Sequence, residues 1–320
     1  MCVRVLSNNN DSEISHKEAE YLLKFKEAVH NLPSNWFDND TVMCDWVGVV
    51  CGYFPATNFR YIEKIQLNSR HLNGTIPSDI NKSLVNLRYF DLGNNSLSGH
   101  LPSFSNLSYL QYLYLSYNNF ISIPHDCLCG LENLELFDLR YNTNLSSWTF
   151  PTNLNTNSRL TIINLENTNL IGSLPDIFDS FPVLQNFDLS ENNLTGVLPK
   201  SFSKLTRLTI LKLNHPKDNK LSGTIQFLSS MPQLFQVNLE GNSFEGSIPD
   251  LSNCKHLKYL SLANNRLTGV VLPSLGLLNE IYQVSLENNW LQGPLPLFNK
   301  VRTPEVNLTS NGFCLDHPGP

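Results

Sequence analysis

The chain has little of what most enzymes and nucleic-acid binders carry. Asp, Glu, Lys and Arg make up only 16% of its 320 residues, against about 25% in an average globular protein. Lys and Arg never gather into a run, and the net charge is −6, which argues against nucleic acid as a partner. No apolar stretch reaches the roughly 18 residues that mark a membrane-spanning helix. Any membrane attachment is therefore expected through a missing helix downstream of Pro320. The opening segment, MCVRVLSNNNDSEIS, lacks the apolar core of a signal peptide. The G-x-S-x-G, H-E-x-x-H and P-loop sequences are absent, as is the kinase set of Gly-rich loop, H-R-D and D-F-G. The eight histidines are scattered without ligand spacing. These absences point away from catalysis within this chain, and neither a metal nor a cofactor is expected.

What is present is a cassette, L-x-x-L-x-L-x-x-N-x-L-x-G-x-[IL]-P, returning about every 24 residues. Clear copies are LRYFDLGNNSLSGHLP from Leu87, LQNFDLSENNLTGVLP from Leu184 and LFQVNLEGNSFEGSIP from Leu234. Eleven registers begin at Ile62, Leu87, Leu110, Leu134, Leu160, Leu184, Leu208, Leu234, Leu257, Ile281 and Thr303, spaced by 22 to 26 residues. A period of this length marks a stacked solenoid, here of leucine-rich repeats. The x-L-x-L-x stretch alternates as a short strand with one buried face, so neighbouring repeats are expected to build a parallel β concave face. The L-x-G-x-[IL]-P tail is the plant-type variant, which adds a second short strand per turn and twists the superhelix. The expected class is an α/β solenoid with a 3-10 or irregular convex face. Its divisions are a disordered tail (1–14), an N-terminal cap (15–61), repeats (62–313) and a truncated start of a C-terminal cap (314–320).

The Asn after each strand is expected to form a buried ladder at Asn95, Asn118, Asn142, Asn192, Asn219, Asn242, Asn265, Asn289 and Asn311. Arg70 and Thr168 break it, and local rearrangement or water is expected there. Three copies are irregular. NNFISIP (118–124) is one residue short, the fourth repeat has an extra residue before Leu145, and the seventh carries a three-residue insertion within 214–223.

Residues 15–31 read as an amphipathic cap helix with a Ser15/Glu18 capping box and an apolar face of Ala19, Leu22, Leu23, Phe25 and Val29. Trp36 and Trp46 are expected to cover the end of the core. Cys44 and Cys51 flank CDWVGVVC, which suits a cap disulfide and an oxidising compartment. Zinc is the alternative, with no second pair nearby. Cys254 reads as a buried thiol, and Cys127 and Cys129 are too close to bridge each other. Asn-x-Ser/Thr sequons at Asn10, Asn39, Asn73, Asn81, Asn94, Asn106, Asn144, Asn193 and Asn307 fit a secreted protein, although an Asn-rich repeat generates some by accident.

A solenoid is a surface, so function is expected on the concave x positions. Most columns are mixed polar residues. Repeats two to four instead place Arg88, Tyr89, Tyr112, Tyr114, Tyr117, Arg140 and Tyr141 together, with Tyr117 and Tyr141 in one column. Tyr and Arg dominate binding hot spots, while strand propensity alone also favours Tyr. The sequon at Asn94 lies in the same column, one repeat away. Asp91, Asp138 and Asp188 share another concave column. They could mimic a glycosidase pair, but read as exposed carboxylates of a solvated acidic column.

The cap W-x(7)-C-D-W-V-G-V-V-C, the stretch PSFSNLSYLQYLYLSYNNFISIP, NLSSWTFP after the fourth repeat and the ending NLTSNGFCLDHPGP together resemble the ectodomain of plant leucine-rich-repeat receptor-like kinases. Within these they are most similar to the transmembrane kinase (TMK) family. The resemblance covers nearly the whole chain and implies that Cys314 pairs with a cysteine beyond Pro320. It also implies an extracellular position in the apoplast after removal of a missing signal peptide, with a membrane helix and Ser/Thr kinase downstream. The implied role is auxin-type growth signalling, with an apoplastic auxin-binding protein or co-receptor as partner. The alternative is a free secreted inhibitor of the polygalacturonase-inhibitor type, or a truncated decoy receptor.

Overall fold

The computed structural model describes residues 14–38, 40–56, 59–154, 159–215, 220–294, 296–298 and 304–313. Cys2, Asn10, Asn39, Asn219, Thr303 and Cys314 lie outside them, as does most of the expected tail and of the insertion in repeat seven.

Alternation within each cassette produces a 12-stranded concave sheet. Val49–Tyr53 of the cap pairs antiparallel with Arg60–Gln66. Every later strand, from Tyr89–Asp91 to Glu305–Asn307, adds in parallel. Phe90, Leu113, Phe137, Ile163, Phe187 and Leu211 lie in register and are buried. The flanking x residues face outward on the concave side.

The cassette tails form a second set of strands, in a run of four that begins with Val29–His30 of the cap and a run of eight. Between Asn119–Ser122 and Trp148–Thr149 the ladder is interrupted, and a single bond from Ser146 N to Ile121 O (2.9 Å) bridges the gap. This is where the short repeat NNFISIP falls. The register shifts there: Gly99 faces Phe120 and His100 faces Ser122, so that Ile121 bulges from the short strand.

On the convex side the chain closes in single turns. These are 3-10 at Phe178–Ser180, Lys200–Lys204 and Gln226–Ser230, and α-helical at Ile80–Ser83 and Pro273–Gly276. The core beneath is partly aromatic. Phe178 meets Phe187 and Phe202 edge-on at 5.5 and 5.1 Å, and Phe202 meets Phe227 at 5.2 Å.

The Asn ladder answers backbone groups buried at each turn. Asn192 Nδ2 donates to Leu165 O, Leu189 O and Ser190 O at 2.6–3.1 Å. Its Oδ1 accepts from Thr168 N and Leu170 N at 3.1 and 2.8 Å. Thr168 is fully buried and needs no water, because its hydroxyl donates to Leu165 O at 2.9 Å and its N–H reaches Asn192. Arg70 is exposed, and the next rung covers for it: Asn95 bonds Leu67 O, Arg70 N and Leu72 N.

The cap helix runs His16–Ala28, shorter than the expected 15–31. Val29–His30 leaves it to pair antiparallel with Asn73–Gly74. That approach needs Gly74, since a Cβ there would sit 2.1 Å from Ala28 O. The capping box forms, but Glu18 does more: its Oε1 accepts from Ile62 N at 2.9 Å, tying the helix to the first repeat. Leu23 is exposed and Tyr21 is buried in its place, because 100° per residue swings position 23 off the face that carries Leu22 and Phe25. Trp36 packs on Trp46 with ring centroids 4.7 Å apart and planes tilted by 35°, and donates through Nε1 to Val47 O. Cys44 and Cys51 are disulfide-bonded with Cα atoms 5.6 Å apart. Cys127 and Cys254 are buried, whereas Cys129 is exposed.

Replacing Asn192 by Ala strands several buried groups at once and should lower stability by about 2–4 kcal/mol in urea denaturation. Thr168→Ala removes one hydroxyl bond and should cost only about 1 kcal/mol.

Candidate functional site

The concave patch divides into two clusters. Register places Tyr89 beside Tyr112 and Asp91 beside Tyr114. The ring of Tyr89 then lies 5.7 Å from Tyr112 and 5.6 Å from Tyr114. Tyr112 Oη donates to Glu135 Oε2 at 2.7 Å, and that bond is the main cause raising its pKa. Burial pushes the Tyr89 phenol up to about 12.

Tyr117 and Tyr141 follow their strands by three residues. Both sit in the left-handed region (φ 52° and 55°), as Asn94 does in the preceding repeat. That geometry projects successive side chains along the rim, and the two rings stack at 4.8 Å with 11° between planes. Tyr141 Oη donates to Glu166 Oε1 at 2.9 Å, chiefly by which its pKa is pushed up to about 12. The Arg140 guanidinium lies 5.6 Å from the Tyr117 ring centroid. Its Nε is 3.4 Å from Asp138 Oδ2, an ion pair, but makes no hydrogen bond among the described residues. The Tyr114 and Tyr117 hydroxyls likewise have no hydrogen-bond acceptor among the described residues, so the patch retains donors for an incoming group. Arg88 does not join either cluster; it turns toward Glu63 (3.8 Å) and lies over the Tyr109 ring (5.7 Å).

The acidic column differs from the expected solvated one. Asp91, Asp138 and Asp188 are 8%, 6% and 3% exposed. Each turns inward so that Oδ1 accepts the N–H two residues on, at Gly93, Arg140 and Ser190 (3.0–3.2 Å). Asn164, Asn238 and Asn307 do the same in the same column. The shared bond shows that the column braces the turn; the charge adds ion pairs from Asp138 to Arg140 (3.4 Å) and from Asp188 to Lys212 (3.3 Å). Burial raises the pKa of Asp91 and of Asp138, against partial compensation from those hydrogen bonds.

A second aromatic cluster escaped the sequence reading. Phe235, Tyr259 and Tyr282 stand edge to face at 5.6 and 5.7 Å, with Lys258 Nζ 5.1 Å over the Phe235 ring. The available signal was one aromatic in the outward strand positions of three consecutive repeats, but they alternate between two columns. Among the sequons, Asn94, Asn106, Asn144, Asn193 and Asn307 are exposed and Asn73 is half-buried. Asn81 is also half-buried, with Nδ2 held by Ser105 Oγ at 3.1 Å.

Comparison with known proteins agrees with this architecture. Family descriptions of the leucine-rich repeat match residues 86–107, 100–143, 158–221 and 256–278, and the leucine-rich-repeat N-terminal domain matches 15–52. Receptor-like kinase TMK4 of Arabidopsis thaliana is 42% identical over 93% of this chain and 31% of its own length. The chain belongs to the leucine-rich-repeat proteins and is similar to plant receptor-like kinases of the TMK type. Receptor-like kinase TMK2 of the same plant is 37% identical over 89% of the chain and 32% of its own length. The ectodomain thus spans about a third of the curated relatives it matches, and the matched family descriptions cover repeats and cap only. Among solved structures, the Arabidopsis receptor kinase HAESA ectodomain in complex with an IDA peptide hormone superposes with a TM-score of 0.70 at 27% identity. That match covers 93% of this chain and 57% of HAESA's. No helix among the described residues is long and apolar enough to cross a membrane.

The column argument gives a pH prediction. An acid whose folded pKa is raised is favoured in its protonated form by the fold, so stability is gained as pH falls through the folded value. Asp91→Asn keeps the Oδ1 bond to Gly93 and should melt at or slightly above the parent at pH 7. Its gain in melting temperature between pH 7 and pH 4 should be smaller than the parent's, as read by circular dichroism.

Proposed function

We propose that this ectodomain is the sensing part of a receptor-like Ser/Thr kinase and binds an apoplastic protein partner or co-receptor through the concave face of repeats two to four. The contact residues are Arg88, Tyr89, Tyr112, Tyr114, Tyr117, Arg140 and Tyr141. The observation that carries the reading is the stacked Tyr117–Tyr141 pair, with Arg140 over one face and unspent donors beside it. Aromatic rings with a guanidinium, held rigid before contact, lose little entropy on binding and belong to the side chains that dominate interfaces. HAESA, a protein of the same fold, carries a peptide hormone in its complex, which supports protein or peptide recognition here. The finer reading, auxin-type growth signalling through an apoplastic auxin-binding protein, rests on the likeness to TMK4 and TMK2. Glycans are proposed at Asn73, Asn81, Asn94, Asn106, Asn144, Asn193 and Asn307, and the one at Asn94 would narrow access to the rim.

The test is biolayer interferometry of an apoplastic auxin-binding protein against the parent and a Tyr117→Ala/Tyr141→Ala variant. Loss of about tenfold or more in affinity is expected, each hot-spot ring contributing about 2 kcal/mol. Unchanged affinity with an unchanged melt would remove the patch from the interface.

A further inference from the structure

A cavity of about 340 Å³ opens on the N-terminal cap. It lies between the first turn of the cap helix, the end of the antiparallel hairpin and the first convex turn. Phe54, Phe59, Tyr61 and Val85 give it an apolar lining. Three of these are exposed to solvent: Phe59 by 59%, Val85 by 49% and Phe54 by 42%. Lys17, Arg60 and Lys82 line it as well.

Two features set this cavity apart from ordinary surface. First, the three cations have no carboxylate within ion-pair distance among the described residues. Glu18 also lines the cavity, but its carboxylate is already taken by Ser15 N, Ser15 Oγ and Ile62 N. In a chain of net charge −6, a cavity lined by three cations and one carboxylate is against the trend, and its net positive charge concentrates an attractive field on anions. Second, the aromatic wall is held in place. Tyr61 packs on Phe54 with ring centroids 4.5 Å apart. It does so over Gly52, where a Cβ would come within 2.3 Å of the Tyr61 ring. A volume at the lower end of the usual ligand range, about 300–1,000 Å³, thus combines apolar walls with three basic residues in its lining.

We infer that the cap cavity between Lys17, Arg60 and Lys82 is a binding site for a small organic anion with an apolar body, such as an aryl or branched alkyl carboxylate. The head group would meet the three cations and the body would cover Phe54, Phe59 and Val85, removing exposed apolar surface from water. A purely inorganic anion leaves those rings wet, and a neutral apolar molecule leaves the charges unmatched, so neither fits as well. The site is on the cap, apart from the concave tyrosines, and does not depend on their role.

The experiment is a 19F NMR titration of the purified chain with 4-(trifluoromethyl)benzoate and its neutral isostere 4-(trifluoromethyl)benzamide. Saturable binding of the benzoate and much weaker binding of the benzamide are expected. A Lys17→Gln/Arg60→Gln/Lys82→Gln variant keeps the surface polar and should weaken the benzoate about tenfold or more, a difference of about 1.4 kcal/mol. Phe59→Ser should also weaken it, and Tyr117→Ala/Tyr141→Ala should leave it unchanged. With melting temperatures equal to the parent's, any of three results overturns the inference. These are absence of saturable benzoate binding, equal binding of the benzamide, and undiminished binding to the triple variant.

Discussion

A chain that turns back on itself every two dozen residues buries polar backbone at every turn, and nothing else in this structure can form until those groups are answered. One side-chain amide per repeat answers them. Asn is the residue for the position because it offers two donors and an acceptor on a short arm. Its Nδ2 gathers carbonyls of its own turn and of the turn before, while Oδ1 takes N–H groups from the preceding repeat. Each rung therefore joins two repeats, and the ladder makes neighbours interdependent, as expected of a quasi-one-dimensional fold. Thr168 shows the tolerance of the arrangement. A hydroxyl supplies one donor where the amide supplies two, and Asn192 in the next rung reaches across to cover the N–H left over.

The same logic explains why the acidic column is buried. After each strand the chain must turn within two residues, and an Asx side chain can accept the N–H that the turn exposes. Asp and Asn are interchangeable in that task, so both recur in the column, alongside Tyr114, Lys212, Ser261 and Ser285. A reading that looked only at charge took Asp91, Asp138 and Asp188 for a concave acidic surface. The mixture of Asn164, Asn238 and Asn307 in the same column was the clue that geometry, not charge, is what the position supplies.

The fold could be read from the period because each cassette repeats the same physical solution, and repetition is hard to miss. The capping box, the cap disulfide and the Trp36–Trp46 lid were likewise readable, being local. What escaped was non-local. Glu18 reaching Ile62, Val29–His30 leaving the helix to meet Asn73–Gly74, and the bulge within NNFISIP each depend on a neighbour brought close only by stacking. The candidate site divides along the same line. The column shared by Tyr117 and Tyr141 followed from counting, whereas the inward turn of Asp138, the departure of Arg88 toward Glu63 and Tyr109, and the cluster of Phe235, Tyr259 and Tyr282 did not.

This division of labour bears on how such a receptor surface can specialise. The leucines and the Asn ladder face inward and are committed to holding repeats together. Apart from the Asx column, the outward strand positions and the rim residue before the ladder Asn carry little of that burden. At the rim position the backbone sits in the left-handed region, which favours Asn and Gly, and Asn94, Asn167, Asn264 and Asn288 follow that preference. Tyr117 and Tyr141 go against it, since a large ring gains nothing from a left-handed backbone. Ser69, Glu191 and Ser310 depart from that preference too, but only Tyr117 and Tyr141 among the described rim residues are large rings, stacked on one another and partnered by Arg140 and Glu166. Their ring surface is spent on neither the core nor the ladder, which is why the proposed interface is centred on the rim of repeats three and four.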